Sequence, residues 1–128
     1  YFGSQLFYPP LSVSPSLKTG LTMAIDNPAE LGADRIVNAV AACSRFSGNL
    51  IIIDFGTAIT FDCVNSRREY LGGAILPGIS ISLDALAGRT AKLPRVDINK
   101  APNNAIGCNT EDAIRSGLLF GFGGMVDR

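Results

Sequence analysis

The most apolar run of the chain, residues 50–53, stops on a carboxylate, a glycine and a hydroxyl: Asp54-Phe55-Gly56-Thr57-Ala58. Four aliphatic residues in a row, three of them isoleucine, read as a buried β-strand. A charge at the mouth of a core strand is costly unless something compensates it. A cation or a phosphate is the usual reason. Gly56 permits a tight turn and a close backbone approach. Thr57 offers a hydroxyl and a backbone N–H where an anion could sit. The step points to phosphate handling, although an ordinary turn after a buried strand reads the same way.

The rest of the composition narrows the chemistry. The 128 residues are about one domain's worth of chain, and 47% are apolar, enough for a core. Eleven basic and eleven acidic residues are scattered and cancel, which argues against a nucleic-acid face. No run of ~18 apolar residues occurs, so no membrane span is expected. No charged stretch followed by an apolar one opens the chain, so secretion is not expected either. Cys43, Cys63 and Cys108 are odd in number and widely spaced, and read as small core-filling residues of a reducing compartment. There is no histidine, so any base must be a carboxylate, Lys, Tyr or Cys.

Hydrophobic periodicity sets a coarse order of elements. Residues 1–20 are rich in turns: Tyr8-Pro9-Pro10, Ser14-Pro15, Thr19-Gly20. Short strands are expected at 11–13 and 22–25. Asn27 caps a helical start with Pro28 in first position, and Gly32 breaks or bends it. A helix follows over 33–46, burying Ile36, Val37, Val40 and Ala41, and Ser47-Gly48-Asn49 ends it. Three strands come next, at 50–54, 59–64 and 70–76, with a polar hairpin turn at 65–69. Residues 79–86 have helical spacing, and a short strand is expected at 96–98. A last helix starts near Thr110, capped by Asn109, and runs toward Gly121. The renewed start near 47–49 sets a boundary: 1–48 as the end of one domain, 49–128 as most of a second. The chain reads as an internal piece of a longer protein, poorly stable without the rest.

Three further polar steps sit at element ends. Gly32-Ala33-Asp34-Arg35 places an acid and a base at a helix N-terminus, whose exposed N–H groups attract anions. Arg35 can clamp a carboxylate with two prongs, and Asp34 can accept a hydroxyl proton. A dipole-complementing Asp beside a solvated Arg fits as well. Asn109-Thr110, after Gly107, is a second helix start, or a simple cap. Gly72-Gly73-Ala74-Ile75-Leu76-Pro77-Gly78 allows close packing of another backbone, or marks a bulged sheet edge. The two common glycine-rich phosphate patterns are absent: Gly121-Phe122-Gly123-Gly124 has the wrong spacing.

In order along the chain, Asn27-Pro-Ala-Glu-Leu-Gly-Ala-Asp-Arg35, Asp54-Phe-Gly-Thr-Ala-Ile-Thr-Phe-Asp62, Gly72-Gly-Ala-Ile-Leu-Pro-Gly78 and Asn109-Thr-Glu-Asp-Ala-Ile-Arg-Ser-Gly117 closely resemble type III pantothenate kinase. Lys18-Thr19-Gly20-Leu21 and Arg89-Thr90-Ala91-Lys92-Leu93-Pro94 fit as well. The resemblance covers residues 10–128. It implies an α/β chain of the acetate-kinase/sugar-kinase/actin-like (ribonuclease H-like) two-domain fold, here in part. It implies transfer of the ATP γ-phosphate to the hydroxyl of pantothenate, giving 4'-phosphopantothenate on the route to coenzyme A. By matching position, Asp34 would be the proton acceptor. Gly32, Ala33, Asp34 and Arg35 would line the pantothenate site, with Arg35 as carboxylate partner and Thr110 touching the same substrate. Thr57 would contact ATP phosphate, and Asp54 would bind a monovalent cation, K+ or NH4+, with Mg2+ accompanying ATP. Residues 72–78 would lie at a homodimer interface, and the enzyme would be cytoplasmic.

Two departures from the family pattern stand out. Its first Asp-x-Gly-Asn-Thr phosphate step is not in this chain, so this segment alone is expected not to bind ATP productively. Many members carry a tyrosine two residues before the Asn-Pro, and here that place is Ile25. A non-catalytic regulatory homologue on the same scaffold is the alternative, or a related kinase acting on another small molecule.

Overall fold

The computed structural model of the chain describes residues 11–14, 16–90 and 93–127; the Tyr8-Pro9-Pro10 turn lies outside them. The fold is mixed α/β. Its strands are β1 (Thr22–Met23), β2 (Leu50–Phe55), β3 (Ala58–Val64) and β4 (Glu69–Pro77). Its helices are α1 (Ala33–Arg45), α2 (Ile79–Arg89) and α3 (Thr110–Asp127), with one 3-10 turn at Pro28–Glu30. The strands form one sheet in the order β1-β4-β3-β2. β1 runs parallel to β4, pairing Thr22 with Glu69 and Met23 with Tyr70. Two residues join β2 to β3 and four join β3 to β4; such short links can connect only antiparallel neighbours.

The described residues gather into two compact units: those up to Asp54 with Ile59–Ile75, and Phe55–Ala58 with those from Leu76 onward. The first has a core of Leu31, Ile36, Ala39, Val64 and Tyr70. Val40 and Cys43 pack against it, so α1 buries Ile36, Ala39, Val40 and Cys43, an i, i+3, i+4, i+7 face. Val37 and Ala41, expected in that stripe, are exposed because each sits about 100° further round the helix. Gly48 then turns the chain at φ +97°, a conformation that favours glycine, and delivers it to β2.

Three expectations fail. Residues 11–13 form no strand. Neither do 96–98: the Asp97 carbonyl is taken by the Arg115 guanidinium at 2.9 Å rather than by a strand partner. The run at 50–53 is a strand but not a buried one: Ile52 packs against the core, and strand alternation turns Ile51 to the opposite face, where it is 68% exposed. α3 continues six residues past Gly121 despite a cost of about 1 kcal/mol for each helical glycine. Leu118 and Phe122, one turn apart, line an apolar cleft of about 460 Å³ with Phe55 and Ile79 in the second unit. Cys108 is exposed rather than core-filling.

Candidate active site

Asp34 owes its placement to Gly32, the N-cap of α1. The Asp34 carboxylate folds back over the helix start, where its Oδ1 accepts the backbone N–H of Arg35 at 2.9 Å. A β-carbon at position 32 would stand 2.5 Å from that same oxygen. Glycine there leaves room for the carboxylate, which remains exposed to solvent. One oxygen is thus held by the helix and the other is open to a proton.

Arg35, the next residue, points the other way. Its Nε donates to Asp62 Oδ1 at 2.8 Å, and its Nη2 pairs with the same oxygen at 2.6 Å. The Arg35 side chain is 16% exposed and Asp62 is completely buried. Tyr70 Oη also donates to Asp62 Oδ1, in a short hydrogen bond, and Thr60 Oγ1 donates to Oδ2 at 3.3 Å. Burial alone would lower the Arg35 pKa, but the hydrogen bond and charge of Asp62 outweigh it and hold it above its ordinary value. The Tyr70 phenol is pushed above its ordinary range, first by burial and then by its bond to Asp62. An arginine has five N–H donors. Nε spends one on Asp62, Nη2 stands 2.6 Å from the same oxygen as an ion pair, and Nη1 has no partner among the described residues.

Arg35 and Tyr70 line a cavity of about 310 Å³ together with Ile25, Asn27, Gly72 and Gly73. Glu30 lines it too, with its carboxylate held by the Asn27 amide at 2.7 Å. The glycine pair shapes the floor. Gly72 has φ +106°, and a β-carbon at Gly73 would fall 1.7 Å from the Phe61 carbonyl and 3.2 Å from Arg35 Nη2. The backbone that packs closely on this glycine stretch is therefore the chain's own β3. Ile25 stands in the cavity wall.

The other predicted residues lie at element ends. Asp54 is half-buried near the end of β2, where its Oδ2 accepts the Asn38 amide of α1 at 3.0 Å. No lysine or arginine pairs with it among the described residues. Thr57 and Thr110 belong to the second unit. Thr57 is exposed in the turn between β2 and β3, and its carbonyl accepts the Gly78 N–H at 3.0 Å. Thr110 opens α3, which Asn109 caps as expected, its Oδ1 accepting the Asp112 N–H at 2.8 Å. Gly107 lets that loop lie on the helix: a β-carbon there would sit 2.2 Å from the Ala113 nitrogen.

Asp62, Tyr70 and Asn38 carry no role in the sequence reading, and Asn27 only that of a helix cap, for which its side chain makes no cap hydrogen bond. A carboxylate set among Phe61, Cys63 and Val64 in a strand is the one signal that could have found Asp62.

A buried carboxylate thus holds an arginine at a cavity, beside a helix N-terminus with its own exposed acid, within an α/β fold. The chain belongs to the type III pantothenate kinase family, whose model matches residues 2–128. It is 56% identical over 119 residues to the type III pantothenate kinase of Desulforapulum autotrophicum, covering 92% of this chain and 45% of that protein. The Desulfotalea psychrophila type III pantothenate kinase is 54% identical over 128 residues, covering 99% and 48%. The chain thus spans about half the length of the curated relatives it matches. Among solved structures, it is similar to a "conserved putative Baf family transcriptional activator from Campylobacter jejuni". That match has a TM-score of 0.60 and 25% identity, covering 85% of this chain and 49% of the other.

Proposed function

We propose that the full-length protein phosphorylates the hydroxyl of pantothenate with ATP, giving 4'-phosphopantothenate. Membership of the family along residues 2–128 is the observation that carries this reading. Asp34 accepts the hydroxyl proton, and the open oxygen of its carboxylate suits that role. Arg35 takes the substrate carboxylate with its free N–H groups. Gly32 and Ala33 present the amides of the α1 start, and Thr110 meets the same substrate. Thr57 contacts an ATP phosphate. We assign 1–48 to the end of one actin-like ATPase domain and 49–128 to most of a second.

A K+ or NH4+ ion fits Asp54, whose carboxylate lacks a cationic partner among the described residues. When bound, such an ion neutralises phosphate charge. Mg2+ would arrive on the ATP phosphates, since no group of three or more His, Cys, Asp or Glu gathers among the described residues to hold it. Homodimerisation through 72–78 is supported by Leu71 and Ile75, 50% and 63% exposed on β4. A cytoplasmic location follows from the metabolic role; among the described residues no helix is long and apolar enough to cross a membrane.

The test is ATP-dependent phosphorylation of pantothenate by the full-length protein, with and without potassium. Potassium-dependent turnover is the expected result. In the same assay Asp54→Ala is expected to remove the potassium response, leaving the rate equal with and without the ion. An unchanged response would take Asp54 out of that role. The name of the Campylobacter jejuni protein favours one second reading, a regulator on the same scaffold. Absence of turnover in a folded protein, across a panel of small hydroxy acids, would move the weight there.

A further inference from the structure

Asp62 is the only wholly buried acid among the described residues, and it sits on β3 among apolar neighbours. Burying a carboxylate costs several kcal/mol unless its partners compensate it. Here one oxygen accepts hydrogen bonds from Arg35 Nε and Tyr70 Oη and lies 2.6 Å from Arg35 Nη2. The fold brings them together by register. Asn65 N–H bonds the Glu69 carbonyl, which sets Val64 opposite Tyr70 and puts Asp62 diagonally across from it on one face. α1 then lays Arg35 over that face. A surface arginine loses such a clamp to rotamer freedom and solvent. This one cannot swing away without stranding a buried charge, and the residue lines the cavity.

We propose that Asp62 and Tyr70 are positioning residues for Arg35. They fix its guanidinium so that the free N–H edge faces the cavity and selects a carboxylate over a neutral group there. The proposal rests on the kinase reading, and deepens it. Asp62 does not line the cavity, and Tyr70, which does, has its hydroxyl engaged by Asp62. Asp62 orients the arginine, and Tyr70, a neutral donor, stops Asp62 from turning toward other partners. Gly73 keeps the space beside Arg35 Nη2 open, since any side chain there would crowd it.

The experiment uses the full-length protein with ATP and two acceptors, pantothenate and its uncharged amide. Asp62→Asn should raise the pantothenate KM ~10–30-fold, the worth of a charge-assisted hydrogen bond. The KM for ATP and kcat should stay within about twofold. The amide KM should barely move, so preference for the acid collapses; a purely structural role would not separate the acceptors. Tyr70→Phe, which keeps the ion pair and fills the same volume, should raise the pantothenate KM ~3–10-fold and decides the matter if Asp62→Asn does not fold. Unchanged discrimination in folded variants of an active enzyme overturns the positioning role alone. A wild-type protein that phosphorylates neither acceptor overturns the kinase reading, and this proposal with it.

Discussion

Asp34→Asn is expected to lower turnover of the full-length protein by ~10²–10⁴, the usual worth of a general base. The substitution is mild for the fold. The asparagine Oδ1 can still accept the Arg35 N–H that now holds the carboxylate at 2.9 Å. The side chain is exposed, so no buried group loses a partner. The space provided by Gly32 suits both side chains equally. What disappears is the capacity to take a proton as the hydroxyl attacks phosphorus. The loss should therefore fall on kcat, with the pantothenate KM nearly unchanged, because Arg35 and its Asp62 anchor are untouched. Steady-state kinetics in both substrates measure this. Turnover near wild type would remove Asp34 from the role, and a large rise in KM with constant kcat would make it a binding residue instead.

The fold was legible wherever a single period ruled a segment. Three strands and three helices fall within a few residues of where the patterns of 33–46, 50–76, 79–86 and 110 onward put them. Failures have a common cause in what a one-dimensional pattern omits. Ile51 reads as buried because its neighbours are isoleucines, yet burial depends on what covers each face of the strand, and alternation points Ile51 away from the core that Ile52 meets. Val37 lies one position outside the α1 face, 36-39-40-43, because apolar character alone does not say which side of a helix meets the core. Site residues at element ends were visible because a Gly next to an acid or hydroxyl at a boundary is conspicuous. Asp62 was not, since it lies mid-strand and acquires meaning only when Arg35, 27 residues earlier, reaches it. The glycine pair at 72–73 was conspicuous, but the backbone it accommodates is that of Phe61, a contact fixed by hairpin register rather than composition.

Gly78→Ala should lower kcat/KM for ATP by about 10²-fold or more while leaving the pantothenate KM close to wild type. Gly78 is buried, and it opens α2 immediately after β4. Its N–H donates to the Thr57 carbonyl at 3.0 Å, tying it to the turn that follows Asp54. A β-carbon there would lie 2.3 Å from the Thr57 oxygen and 2.4 Å from the Gly56 oxygen. Neither obstacle is a flexible side chain; both are backbone carbonyls of a two-residue turn. The glycine's φ of −66° is one alanine adopts readily, so the cost is steric and not conformational. Something must move by more than an ångström, at ~1–3 kcal/mol or more. The exposed turn is the softer partner, because α2 is anchored by its own hydrogen bonds. Displacing the turn moves the Thr57 hydroxyl and N–H from where an ATP phosphate would meet them. The Arg35–Asp62–Tyr70 cluster lies in the other compact unit and should not feel the change. Kinetics with each substrate varied in turn distinguish the cases. Unchanged ATP kinetics in a folded Gly78→Ala protein would detach the Gly56-Thr57 turn from nucleotide binding.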